Sequence, residues 1–437
     1  MKPTRLVLLL AAAGLASNAF GADLLGVYKD AQVSDPVYQG ARATYNAGIE
    51  RLPQARAGYL PNVIGSASAF KNKLDRDYAD DFTYNNQTYA VTLTQPLFRW
   101  QNWVAIGQAE KQVLQTEASF TIAKQDLIVR TAQAYFDVLL AQDNVALSEA
   151  QKKAFSEQLA QAKRNFEVGT ATIVDTLEAQ ARYDQTVAKE ISDKNDLEVK
   201  RQALQQLIGK PAESLVPLKD PLTLAPPKPE KIEDWVNAAG TSSYSVAISR
   251  AGYEIAQKEV DRARAGHYPT VDLSAQWVYN KNPNLTSGIG TLAQNTGSVG
   301  VSVSVPIFAG GGTQSLVRQA LANKDRAQQD LENTQRTVAQ AVRQGYLNVT
   351  SGIAQVRALE QALASTQSQL DSTILGRDVG VRTSVDVLNA QQQVIQTRRD
   401  LQQARYNYLL NTLRLKSASG TLDEPDLEQV NRALGRG

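Results

Sequence analysis

The chain has no cysteine, a single histidine (His267) and a single methionine, Met1. Without thiols there is no disulfide, no thiolate nucleophile and no Cys/His set for a structural zinc ion. Asp and Glu are plentiful but mostly sit at helical-surface spacing, and His267 has no Ser or Asp motif around it. Neither a catalytic residue, a metal ligand set nor a cofactor site is therefore expected. A charge of one sign is also missing. Lys and Arg number 46 and Asp and Glu 44, and the excess is Lys2 and Arg5. A neutral chain without a basic block argues against nucleic acid as a partner. No run of about 18 apolar residues follows Gly21, so no transmembrane helix is expected beyond it. If this chain enters a membrane, it does so as a closed β-barrel, the other architecture that satisfies every backbone group.

Residues 1–21 read as a secretory signal. Lys2 and Arg5 form a basic n-region, Leu6 to Leu15 a short apolar core, and Ala19-Phe20-Gly21 a small-residue cleavage site. The mature chain is then expected to begin near Ala22. With no cysteine after the apolar core, a lipid anchor on Cys is excluded.

The rest is written twice. Arg56-Ala57-Gly58-Tyr59-Leu60-Pro61 returns as Arg264-Ala265-Gly266-His267-Tyr268-Pro269. Gln95-Pro96-Leu97-Phe98 returns as Val305-Pro306-Ile307-Phe308. Val168-Gly169-Thr170-Ala171-Thr172-Ile173-Val174-Asp175 returns as Val379-Gly380-Val381-Arg382-Thr383-Ser384-Val385-Asp386. The offsets stay between 208 and 211 residues, too long for a solenoid unit and right for a duplicated domain-sized motif. Expected divisions are a first repeat over 22–210, a Pro-rich linker over 211–231, a second repeat over 232–418 and a polar tail over 419–437. The linker and the tail are expected to form a small collar.

Each repeat reads as helix, strand, strand, long helix, break, long helix. In the first, Asp23 to Ala57 is expected as one helix, Asn62 to Phe70 as a weak strand, Asn72 to Asn86 as a solvated loop and Thr88 to Phe98 as a strand. In the second, Val271 to Tyr279 alternates with polar residues, Asn280 to Gly297 reads as a loop, and Val299 to Ile307 alternates again. One apolar and one small, polar face on strands of roughly ten residues fits a barrel with lipid outside and water inside; a soluble amphipathic sheet would show the same alternation. About four strands cannot close a useful barrel, so strands would be pooled between chains. Pro96 and Pro306 are expected to end strand pairing. Trp100 and Trp103 sit where an aromatic belt would lie. Trp100 to Asn165 and Gln314 to Leu375 contain no proline and read as helices of roughly 100 Å at 1.5 Å per residue. Breaks at Val168-Gly169 and Val379-Gly380 precede return helices over about 173–208 and 385–418. Apolar residues at three- and four-residue spacing on these helices suit coiled-coil packing.

Together with Ala404-Arg405-Tyr406-Asn407-Tyr408-Leu409 and Leu415-Lys416-Ser417-Ala418-Ser419-Gly420-Thr421-Leu422 near the carboxyl end, these features resemble the TolC family of outer-membrane exit ducts, across essentially the whole mature chain. The resemblance implies a mainly α fold with a β-barrel: a homotrimer whose chains each give four strands to a twelve-stranded outer-membrane barrel, and whose helices form a long coiled-coil α-barrel in the periplasm. It implies a passive conduit for drugs or secreted proteins, and as partners outer-membrane lipid, a periplasmic adaptor (membrane fusion) protein and an inner-membrane pump or ABC transporter. Val168, Gly169, Val379 and Gly380 would be the adaptor-contact tips. In the family a Tyr and an Arg on one coiled coil tie to Asp and Thr on its neighbour. Position by position, Arg382 matches the gate Arg and Asp175 the partner Asp, while Arg377 stands in the place of the Tyr and Val174 in that of the Thr. Arg377 and Arg382 are therefore both expected to bind Asp175. Asp386 matches the family's acid ring at the pore constriction, and Asn389 replaces its second acid. Without the family, Asp386 is simply the first-turn acid of the return helix, and Gly169 and Gly380 are turn residues. The alternative function is a periplasmic coiled-coil tether without a pore.

Overall fold

The computed structural model describes residues 22–77, 79–170, 172–211, 214–283 and 291–435; the expected signal segment lies outside them. Its elements run α1 (Leu24–Ser34), α2 (Pro36–Ile49), α3 (Arg51–Ala57), β1 (Asn62–Arg76), β2 (Ala79–Phe98), α4 (Trp100–Glu167) and α5 (Ile173–Ile208). They continue with α6 (Ile232–Ser242), α7 (Tyr244–Arg264), β3 (Thr270–Pro283), β4 (Thr291–Ser304), α8 (Gly312–Asp378), α9 (Ser384–Ser419) and α10 (Glu424–Asn431). The long helices and their return partners fall within three residues of the expected bounds. Among the described residues no helix is long and apolar enough to cross a membrane.

The opening helix differs from expectation. It is three pieces, and the first break comes where Pro36 has no amide to continue α1 and biases Asp35 out of the helical region. Asp35 sits at φ −68°, ψ 116°, and its carboxylate accepts from the Tyr38 amide at 3.0 Å.

Contacts divide the chain into two compact units. One consists of residues up to 42, 121–244 and from 336 onward. Its core joins Leu24, Val27 and Tyr28 of α1, Leu127, Tyr135 and Phe136 of α4, Leu204 of α5, Leu413 and Leu415 of α9 and Leu427 of α10, all essentially inaccessible. Each such side chain contributes about 1.5–3 kcal/mol of burial. Linker and tail meet here. Lys219 donates its amide to the Ala433 carbonyl and Gly435 to that of Pro217. The Tyr135 hydroxyl fastens both to α4, donating to the carbonyls of Ala22 at 3.1 Å and Val216 at 2.8 Å.

The second unit, residues 43–120 and 245–335, carries a four-stranded antiparallel sheet in the order β1-β2-β3-β4. The register decides what the alternation is for. Directly paired residues share a face, and one face collects Val63, Leu93, Ala275 and Val299, then Val91 with Trp277, then Tyr89 with Tyr279. The other collects Asn62, Thr94, Ser274 and Gly300, then Ile64, Thr92, Gln276 and Ser298, and is mainly polar. The apolar face is left open, with Val91, Trp277, Val299, Val301 and Val303 all exposed. Among the described residues β1 and β4 each pair on one side only.

Strands are longer than expected, 14 to 20 residues. The polar stretch 72–86 is largely paired as strand, Lys71 opposite Asn85, Asn72 opposite Tyr84 and Arg76 opposite Ala79, residue 78 lying outside the described ones. Polar side chains do not prevent a hairpin whose faces are both wet, since the ladder is made by backbone groups. The segment 280–297 is likewise strand through Pro283 and from Thr291, residues 284–290 lying outside the described ones. Pro96 does not end β2, which continues to Phe98 through a register shift between Pro96 and Phe98. A bulge is the place where an internal strand tolerates a missing amide. In the second copy β4 does stop at Ser304, before Pro306.

Candidate functional site

Both helical hairpins turn on the same local chemistry. At the end of α4, Gly169 takes φ +76°, and the Thr170 amide reaches back to the Asn165 carbonyl at 2.8 Å. At the end of α8, Gly380 takes φ +81°, and the Val381 amide reaches the Gly376 carbonyl at 2.8 Å. A Cβ on either glycine would meet nothing within 4 Å, so the left-handed backbone, not space, requires glycine. The valines beside them stand in solvent, Val168 at 72% and Val379 at 66% exposure.

The return helices start with matching capping boxes. The Thr172 hydroxyl accepts from the Asp175 amide at 3.3 Å, and Asp175 Oδ2 accepts from the Thr172 amide at 2.9 Å and its hydroxyl at 2.8 Å. Thr383 and Asp386 repeat this at 3.2, 2.9 and 3.0 Å. The cap amide, followed by the threonine hydroxyl, holds each carboxyl below its usual range. Arg382 adds a smaller lowering at Asp386. Asp386 is thus a first-turn cap, as the residue pattern alone suggested, and so is Asp175.

The expected gate residues gather in one place without pairing as expected. Asp175, Glu178, Arg377, Asp378 and Arg382 line a cavity of about 470 Å³ between the hairpin ends. Within the chain, among the described residues, neither arginine forms an ion pair with Asp175, whose carboxylate serves its own cap. Arg377 instead binds its neighbour Asp378 through Nη2 at 2.7 Å. Arg382 also borders a second cavity of about 710 Å³ with Asp386, Asn389 and Gly376. A Cβ built on Gly376 would lie 2.8 Å from Arg382 Cγ, so the bare glycine is what lets the arginine stem fold over α8. Asn389 accepts from Arg182 Nη2 of α5 at 3.3 Å, and Gln392 accepts from Nη1 at 3.1 Å. Asp378, Glu178, Arg182 and Gly376 escaped the sequence reading. Asp378 was signalled only by standing next to Arg377, and Arg182 only by lying one heptad beyond Asp175.

The same turn, cap and acid thus recur in two hairpins, joined by a sheet with one apolar face. Comparison with known proteins agrees. Residues 27–210, and again 235–421, match the family described as outer membrane efflux protein. The chain belongs to that family. It is 34% identical over 427 residues to the outer membrane protein TolC of Vibrio cholerae, covering 97% of each chain. It is 32% identical over 425 residues to the alkaline protease secretion protein AprF of Pseudomonas aeruginosa, covering 95% of this chain and 88% of that one. The fold matches the crystal structure of CusC with a TM-score of 0.80 at 17% identity, over 92% of both chains. The chain is therefore an outer-membrane channel protein of an efflux and secretion family and not an enzyme. A poreless periplasmic tether does not fit that family.

Proposed function

We propose that three copies of this chain close one twelve-stranded barrel in the outer membrane, and that their helical hairpins form the gated periplasmic end of the conduit. The observation that carries this is the strand register. Four strands present one mainly apolar face, an opposed mainly polar face and, among the described residues, two unpaired edges. Unpaired edges invite pairing with another chain, four strands are too few to enclose anything, and twelve leave an aqueous lumen. In detergent the purified protein is expected as a trimer that forms channels in planar bilayers. A monodisperse monomer without conductance would overturn the assembly.

At the tips, Arg382 and Arg377 are the gate cations and Asp175 their acceptor across hairpins, with Asp386 forming the acid ring of the constriction and Asn389 an uncharged ring beside it. Support comes from the cavity that Asp175, Arg377 and Arg382 share and from Asp386 and Asn389 bordering the next one. The exposed Val168, Gly169, Val379 and Gly380 suit docking of a periplasmic adaptor, which would connect the duct to an inner-membrane pump or ABC transporter. Cargo is a small exported compound or a secreted protein, since a passive duct need not read what it passes. Reversing the acceptor, Asp175→Arg, is expected to raise single-channel conductance; an unchanged conductance would remove the locking role.

A further inference from the structure

The two hairpins are copies, so their seams compare position by position. Among the positions buried in both copies are Ala179, Thr186, Glu190 and Asp193 along α5, and 211 residues later Ala390, Thr397, Leu401 and Ala404 along α9, which also buries Val387, Leu388 and Val394. Alanine matches alanine and threonine matches threonine. Each threonine hydroxyl donates, at 2.8 Å, to the carbonyl four residues before it. Both hairpins also keep one cross-helix ion pair, Glu149 with Lys194 at 3.0 Å and its counterpart Glu360 with Arg405 at 3.0 Å.

The next two seam positions differ in kind. In α9 they belong to an apolar cluster, Val356, Leu401 and Ala404, flanked by Leu359 and Leu363. In α5 they are carboxylates. The Glu190 side chain is 7% exposed and accepts from Lys152 at 2.6 Å and Lys194 at 2.7 Å. The Asp193 side chain is 6% exposed and accepts from Lys189 at 2.7 Å and, across hairpins, from Arg399 of α9 at 3.1 Å. Lys152 stands where the other copy has Leu363. Arg399 Nε is buried with no partner, so its guanidinium depends on Asp193. Nearer the tips the same two hairpins are joined by Gln158 with Gln391 and by Arg182 with Asn389 and Gln392.

We propose that Asp193 and Arg399 form a second gating site, an ionic latch between the two hairpins of one chain, placed well along the helices from the tip, with Glu190 the neighbouring buried carboxylate that Lys152 and Lys194 hold inside the first hairpin. The proposal rests on the gated-entrance reading above. Asp193 lies 18 residues along α5 from Asp175, roughly 27 Å at the helical rise. A buried ion cluster adds little net stability, because desolvation offsets attraction, yet it fixes register and is costly to leave half-paired. When hairpins part, water can replace its partners. An apolar contact at the same place has no such substitute and resists separation. The position that matches Asp193 in the second copy is Ala404, inside an apolar cluster, so of these two matched positions only the one on α5 carries a charge.

The test compares channel conductance and melting temperature in detergent for the whole protein and three variants, each alone and combined with Asp175→Arg. Asp193→Ala and the near-isosteric Asp193→Asn strand Arg399 and are expected to raise open-state occupancy roughly tenfold (about 1.4 kcal/mol). The third variant, Lys152→Leu/Glu190→Leu/Asp193→Ala/Arg399→Met, replaces the buried charges by apolar side chains and turns the cross-hairpin ion pair into an apolar contact. It is expected to melt no lower than the parent and to suppress the conductance rise caused by Asp175→Arg. Parent-like occupancy in both Asp193 variants, or an undiminished Asp175→Arg effect in the third variant, overturns the latch. If Asp175→Arg alone has no effect, the tip lock falls, while the Asp193 variants against the parent still decide the latch.

Discussion

Gly376→Ala separates the position of Arg382 from the stability of the helix that carries it. An added Cβ would sit 2.8 Å from Arg382 Cγ and 3.4 Å from its Cβ, so the arginine stem must leave. Rotating it away costs about 0.5–1.5 kcal/mol if it lands off-rotamer. Replacing Gly by Ala inside a helix returns about 1 kcal/mol. The two nearly cancel, so the melting temperature should hardly move. The gate should respond. An exposed Arg–Asp pair is worth about 0–1 kcal/mol, and in the proposed trimer three such gate pairs would reach at most about 3 kcal/mol, on the order of a hundredfold in the closed-to-open ratio. In planar bilayers Gly376→Ala should therefore approach the conductance of Arg382→Ala while melting like the parent. If Arg382→Ala opens the channel and Gly376→Ala does not, the glycine is not what seats the arginine. In the first copy the sequence has Asn165 at the position of Gly376 and no arginine at the position of Arg382.

Much of this architecture was legible because it is local. Helices free of proline, a Val-Gly break and a Thr-x-x-Asp box each specify their own backbone, and Thr172/Asp175 and Thr383/Asp386 fold as their spacing says. The strands were legible where apolar residues alternate and invisible where they do not. Lys71 to Arg76 lies opposite Ala79 to Asn85 in the ladder, and its polar side chains carry no periodicity that marks a strand. Pro96 misled because a bulge absorbs it, and a bulge has no signature in one sequence. At the tip, residue identities predicted the neighbourhood and not the bonds. Asp175 has an amide and a hydroxyl three residues away, whereas Arg377 has Asp378 beside it. Local partners cost less ordering entropy than distant ones, so within one chain they win. The ionic seam of α5 was present in the sequence, but Glu190 and Asp193 read as surface charges until burial distinguished them.

Two further changes probe the tip acids and a buried one. Asp386→Asn should lower cation preference in reversal-potential measurements, and because Asn389 is already neutral the loss should be large; an unchanged reversal potential would leave Asp386 as a cap alone. Since the cap holds its carboxyl below the usual range, cation preference in the parent should persist as pH falls to ~4. Asp143 of α4 is the opposite case. Burial pushes its carboxyl up, and the Tyr406 hydroxyl, donating at 2.9 Å, only partly offsets this. An acid whose folded pKa is raised supports the fold most below its unfolded value, and that support is lost as pH rises through the folded value. Asp143→Asn keeps an acceptor for Tyr406 and never ionises. Its melting temperature should thus match the parent near pH ~4 and exceed it increasingly toward pH ~7. A variant that is less stable at neutral pH would mean that the carboxylate charge has a stabilising partner, and that desolvation is not what governs this position.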